Sequence, residues 1–170
     1  FFARSTRESI LAGVSFPEDP AELRAFLDSL FISGPGMPDP TIHANGLRAI
    51  VAPHIDLKRG GDSFARAYKA LVENTDADVF VILGIAHFGD DHPFILTDKG
   101  FETPLGTVPA ETSMVARLRE LAPPNALGDE FLHRNEHSIE FQALMLRYLY
   151  PDRGISIVPI LCGSMHEQLE

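Results

Sequence analysis

Two histidines follow short apolar runs, at places where a strand is expected to end. His54 comes after "LRAIVAP", and His87 closes the segment "LGIAH" after "DVFVILG". In an open α/β sheet the strand-to-helix loops gather at the carboxyl ends of the parallel strands, and ligands bind there. Neutral imidazole nitrogens are common metal ligands. The two positions together predict a shared metal site at that edge, rather than two ordinary loop histidines.

A third group of residues lies further along the chain. His133, Glu136, His137 and Glu140 fall within two helical turns, and His133 and His137 share a face if the helix begins early enough. A solvated helix start explains Glu136, whose charge suits the positive end of the helix dipole. It does not explain His137 and Glu140, which precede the long apolar run "FQALMLRYLY". His137 is therefore a candidate site residue, with Glu140 second to it.

Composition and missing motifs exclude several functions. The formal net charge of −10 argues against a nucleic-acid partner or an anionic membrane surface. "HRNEH" is not the zinc motif H-E-x-x-H, and the single cysteine, Cys162, allows neither a structural zinc site nor a disulfide. No stretch is long and apolar enough to span a bilayer. We expect one domain over residues 1–170, in a reducing, cytoplasmic setting.

Strands that alternate with helices predict an α/β fold. The predicted strands cover residues 47–52, 78–83 and 155–161, the second of them buried on both faces. The predicted helices cover residues 19–31, the region of 64–72, the stretch opening at 109, and residues 136–148. We expect "DLKRGGD" to turn the chain, and residues 92–111 to contain a hairpin. A capping box at Ser164–Glu167 would open a helix just before the sequence stops, so we expect a fragment with an incomplete sheet.

Six segments in order resemble one known family and span nearly the whole chain. They are "AGVSFPEDPAEL", "AIVAPHID", "VILGIAHFG", "FETPLGTVPAE", "NEHSIEFQ" and "ISIVPILCGS". They resemble the MEMO family, whose microbial members are called AmmeMemoRadiSam system protein B. The resemblance implies a fold related to class III extradiol dioxygenases. That fold is α/β and three-layered, with a mostly parallel central sheet and flanking helices.

The resemblance also implies a site. Its dioxygenase relatives hold non-haem iron with two histidines and one carboxylate. By motif, His54 and His87 match the two metal ligands, and His137 matches the family's E-H-S position at or near the same cleft. The expected cofactor is a transition metal, iron foremost, with copper or zinc as alternatives. The third ligand and the acid/base histidine are expected beyond Glu170, where this sequence stops.

Two functions stay open at this point, and so does the question of whether the protein is an enzyme. In the first, a metal-dependent oxidoreductase uses His137 as a catalytic residue that orients substrate or shuttles a proton. In the second, the same cleft binds a peptide or small molecule without turnover, and the family's association with radical-SAM and AMMECR-type proteins names the expected partners. A metal hydrolase is a third reading, with Glu136 or Glu140 as its base.

Overall fold

The structure, a computed structural model, describes residues 1–42, 46–89 and 91–163. Within these residues the strands are β1 (Thr6–Arg7), β2 (Val79–Ile85), β3 (Phe94–Leu96), β4 (Gly100–Thr103), β5 (Gly106–Val108) and β6 (Ser156–Cys162). The α-helices are α1 (Pro20–Ser33), α2 (Leu57–Asn74), α3 (Thr112–Leu121) and α4 (Ser138–Leu149), and a 3₁₀-helix covers Glu130–Arg134. None of the described helices combines the length and apolar character needed to cross a membrane.

The strands form two three-stranded sheets. The first has the order β2-β6-β3, with β2 parallel and β3 antiparallel to β6, and the second has the order β1-β4-β5. In the second sheet β4 and β5 make an antiparallel hairpin, as the sequence predicted for residues 92–111. The α/β class is confirmed, although the first sheet is small and mixed rather than mostly parallel. The layering of an extradiol dioxygenase stays a prediction.

Residues 47–52 do not form the predicted strand. They pair with no strand within residues 1–42, 46–89 and 91–163, and they lie across a cleft of about 600 Å³ from β2. β2 is likewise not covered on both faces, because Val81, Leu83 and Ile85 are exposed. An apolar run becomes a strand only where its backbone N–H and C=O groups meet a partner, and a sequence pattern does not report that partner. Among the described residues, β2 therefore keeps one unpaired edge.

The predicted turn "DLKRGGD" is helical instead. Asp56 caps α2 by accepting a hydrogen bond from the Lys58 backbone N–H at 2.8 Å. Both glycines lie within α2, where a side chain would meet a close neighbour. A Cβ on Gly61 would lie 2.6 Å from Cδ2 of Leu30 in α1, and one on Gly60 would lie 2.9 Å from Cγ1 of Ile55. Gly61 thus serves packing between α1 and α2, and the pair does not change the direction of the chain.

Two other helices begin later than predicted. α3 begins at Thr112 and not at Pro109, because the backbone of residues 109–111 pairs with Ile157 of β6. α4 begins at Ser138 and not at Glu136, and His133 lies in the separate 3₁₀-helix, so His133 and His137 do not share a helix face. The start of α1 was predicted correctly, with Asp19 as its cap. The capping box at 164–167 lies outside the described residues.

A buried ion pair joins the N-terminal segment to α4. Arg7 donates to Glu140, and both side chains are almost fully buried. The other donors to the Glu140 carboxylate are the Ser9 hydroxyl at 2.6 Å and the backbone N–H groups of Ile10 and Leu11, each at 3.0 Å to Oε1. A buried charge is tolerated when it is paired and hydrogen-bonded in this way. Glu140 therefore belongs to the fold, and the reading of Glu140 as a site base is not supported.

The buried His133 should make stability depend on pH. Its Nε2 lies 2.9 Å from the Ile95 carbonyl. Burial lowers the pKa of His133 to about 4, against the opposing hydrogen bond to Ile95 and with the help of Arg7. Because the unfolded ring binds its proton near pH 6.5, stability is complete above that pH and is lost as the pH falls toward 4. The loss reaches about 2 kcal/mol by pH 5.

The measurement is urea unfolding at pH 7.5 and pH 5 for the wild type and His133→Gln. Glutamine retains a donor for the Ile95 carbonyl but does not titrate, so the variant should lose less stability over this interval. Equal losses in the two proteins would show that His133 is not the titrating group.

Gly84 of β2 allows the close approach of α4. A Cβ there would lie 2.6 Å from both Ile139 Cγ1 and Ser138 Oγ. Gly84→Ala should therefore lower the free energy of unfolding by about 1–3 kcal/mol, as overpacking usually does. The matched control is Gly154→Ala, since a Cβ on Gly154 meets nothing within 4 Å. Chemical denaturation compares the two, and a similar small effect at both positions would contradict the packing argument.

Candidate metal centre

Three histidines from separate parts of the chain converge. His54 lies just before α2, His87 follows β2, and His137 is the residue before α4. Nε2 of His54 and Nε2 of His87 are 3.2 Å apart, and the rings of His87 and His137 stack with centroids separated by 4.6 Å. One ring nitrogen from each of the three histidines lies within 4.8 Å of the others. The structure thus brings together the three residues that the sequence singled out.

The donor set fits a transition-metal ion. Two nitrogens bound to one tetrahedral ion at about 2.0–2.1 Å lie about 3.3 Å apart, close to the separation between His54 and His87. Imidazole nitrogen suits zinc, copper, iron and nickel, whereas magnesium and calcium prefer oxygen. The side chains of His87 and His137 are 37% and 34% exposed, so an ion can reach them from solvent.

The buried carboxylate of Glu136 contacts His87 and the start of α4. Glu136 accepts hydrogen bonds from the His87 backbone N–H at 2.8 Å and from the backbone N–H groups of His137 and Ser138 at 2.7 and 3.1 Å. Its Oε1 is also 2.9 Å from Nδ1 of His87, and its side chain is only 2% exposed. With Nδ1 of His87 bonded to the carboxylate, Nε2 is the nitrogen that faces His54.

The shifted pKa values of Glu136 and His137 suit a site that binds metal. Burial alone would raise the pKa of Glu136, but the donors from His87, Ser138 and His137 outweigh it, and the pKa lies below its usual value. Burial lowers the pKa of His137, and the neighbouring His87 and His54 lower it further against the opposing charge of Glu136. A charged carboxylate and a neutral imidazole at position 137 follow, and metal ligation requires the neutral imidazole.

The first two turns of α4 also hold the backbone that precedes the other two histidines. The Ser138 hydroxyl bonds both the N–H and the carbonyl of Ile85, at 3.0 and 3.1 Å. Gln142 donates to the Pro53 carbonyl at 2.9 Å and accepts from the Tyr68 hydroxyl at 2.8 Å. Ser138 therefore holds the end of β2, and one helix sets the positions of the backbone before His54 and of the backbone before His87.

Other candidates from the sequence lie elsewhere. His133 is buried against Ile95, and Glu140 is paired with Arg7. His54 lines the 600 Å³ cleft beside β2, whereas His87 and His137 do not. Sequence reasoning missed that Glu136 bonds His87. The available signal was an acidic residue just ahead of an apolar helix, whose buried N–H groups need an acceptor.

Comparisons with known proteins identify relatives of this chain. The sequence profile of the family described as Memo-like protein matches residues 7–170. A MEMO1 family protein from Pyrococcus furiosus is 36% identical over 168 residues, which are 96% of this chain and 55% of that protein. Corresponding proteins from Methanopyrus kandleri and Aquifex aeolicus are 34% and 31% identical, over 95% and 91% of this chain.

The alignments cover 57% of the Methanopyrus kandleri protein and 39% of the Aquifex aeolicus protein, so the chain spans about half the length of these relatives. The profile match and the identities above 30% extend over nearly all of its own residues. The chain belongs to the Memo-like protein family.

Proposed function

We propose that His54 and His87 bind one transition-metal ion in a metal-dependent oxidoreductase related to the dioxygenases. The observation that carries the proposal is the 3.2 Å separation between the two Nε2 atoms. Because the chain spans about half the length of its relatives, the activity of the whole protein is part of the proposal.

His137 has a place in this centre. The resemblance placed it at or near the same cleft, and the oxidoreductase hypothesis gave it substrate orientation or proton transfer. Its ring contacts both other histidines, with centroids 5.8 Å from His54 and 4.6 Å from His87, and this favours a third ligand. Two imidazoles alone hold an ion weakly, so a third nitrogen would strengthen binding. The lowered pKa of His137, caused first by burial, keeps the ring in the form that binds metal.

Iron is the proposed metal, with copper and zinc as alternatives. The family resemblance points to iron, and three imidazoles also suit the other two ions. When bound, such an ion supplies redox or Lewis-acid chemistry at its open positions. Glu136 is turned to His87 and the start of α4, so it is not proposed as a ligand or as a hydrolytic base. Its role is to accept a hydrogen bond from Nδ1 of His87, which keeps the proton on that nitrogen.

A second candidate function is peptide or partner binding in the same region. The observation that favours it is the edge of β2 along the 600 Å³ cleft, which pairs with no strand in the described part of the chain. His54 also lines this cleft. An extended peptide can add as a strand to such an edge, with its side chains in the neighbouring cleft. The proposed partners are the radical-SAM and AMMECR-type proteins that the family name of the microbial members implies.

Metal binding is tested by titrating anaerobically purified protein with Fe(II), Cu(II) and Zn(II). We expect one ion per chain with micromolar or tighter affinity, and a loss of more than about 100-fold in His54→Ala and His87→Ala, which remove ligands themselves. His133→Gln is the matched control, because it removes a histidine outside the cluster. The proposal fails if the wild type binds no ion at micromolar concentration, or if all three variants bind equally.

The two candidate functions respond differently to a chelator. For the partner-binding function, capture of a radical-SAM protein should persist in excess chelator and be lost when an exposed residue of the β2 edge is changed, as in Leu83→Glu. For the metal function, the bound ion should be lost on chelation and return when the metal is added back. Capture that requires the metal would argue against a separate partner-binding role.

A further inference from the structure

We propose that Glu136 is the positioning residue of this centre, and that its buried carboxylate fixes the His87 ring with Nδ1 as donor and Nε2 aimed at His54. The value of this arrangement for metal binding rests on the proposed function. The orientation of the ring is a property of the metal-free chain and can be measured there.

The Glu136 carboxylate makes two contacts with His87. Oε2 of Glu136 accepts from the backbone N–H of His87 at 2.8 Å, and Oε1 lies 2.9 Å from Nδ1 of the same residue. One carboxylate therefore holds both the backbone and the ring of His87, which restricts rotation of the side chain. The opposite ring nitrogen then lies 3.2 Å from Nε2 of His54.

Helix capping alone does not account for these contacts. A cap explains the bonds to Glu136 from the N–H groups of His137 and Ser138, at the start of α4. It does not explain two bonds to a residue 49 positions earlier in the chain. The capping carboxylates Asp19 and Asp56 show the difference: among the residues that the structure describes, each accepts hydrogen bonds from N–H groups of its own helix and from no others.

The carboxylate also selects which nitrogen of His87 carries the proton. A neutral imidazole has one N–H and one lone pair, and the partner of one nitrogen decides the state of the other. A carboxylate only accepts hydrogen bonds, so Nδ1 of His87 must donate to it, and the lone pair is left on Nε2. Carboxylate partners of this kind orient metal-ligating histidines and raise their basicity.

The test determines by ¹⁵N NMR which ring nitrogen of His87 carries the proton in metal-free protein, at a pH where the ring is neutral. We expect Nδ1 protonated and Nε2 unprotonated in the wild type. Glu136→Ala removes the acceptor and should give a mixture of both tautomers. Glu130→Gln is the control: it also removes one carboxylate charge, but Glu130 bonds Thr97 and not the histidines, so its His87 signals should match the wild type.

Glu136→Gln provides a second variant if Glu136→Ala does not fold. One amide oxygen cannot replace two carboxylate oxygens, so its dissociation constant for Zn(II) should rise about 10–100-fold, while Glu130→Gln binds as the wild type does. A wild-type His87 protonated at Nε2, or Glu136→Gln with unchanged affinity, would overturn the inference. If the tautomer is as expected but no metal binds, the metal proposal fails and the positioning role stands.

Discussion

Helix α4 begins inside the protein, and this constraint organises the rest of the molecule. The N–H groups of the first turn of a helix have no partner within it and must find one elsewhere. Here the Glu136 carboxylate accepts hydrogen bonds from two of these N–H groups. The side chains of Ser138 and Gln142 donate to the backbone carbonyls of Ile85 and Pro53. The contacts at the buried start of α4 thus also fix the ends of the two segments that carry His54 and His87.

Local signals predicted local structure well. The Asp19-Pro20 pair defined the start of α1, and the glycine-rich stretch 100–106 formed the expected hairpin. The errors arose where distant residues decide the outcome. β6 draws the backbone of residues 109–111 into pairing, and Leu30 of α1 packs directly against Gly61 of α2. Residues 47–52 are apolar enough for a strand, but hydrophobic pattern does not reveal whether a partner lies within hydrogen-bonding reach.

The convergence of the three histidines was predictable from the sequence, and the residues that support them were not. His54 and His87 follow apolar runs, which predicted that they meet, although only His87 follows a strand. His137 stood out as a histidine that a solvated helix start does not explain, and the resemblance supported it. Glu136 looked like a solvated residue at a helix start because charge is normally exposed. Its burial depends on the approach of the His87 loop, which the sequence around Glu136 does not encode. Glu140 was similarly misjudged, since its partner Arg7 is 133 positions away.

These long separations imply an order of events during folding. The histidines at positions 54 and 87 are 33 residues apart, and Glu136 lies another 49 residues on. Closing such loops costs chain entropy before the contacts repay it, so non-local arrangements form late. An ion would therefore meet a finished cluster rather than nucleate it, and would shift the equilibrium toward the native state by mass action. Binding of the proposed ion would then be a step after folding, and the ion could exchange for as long as the rings remain accessible.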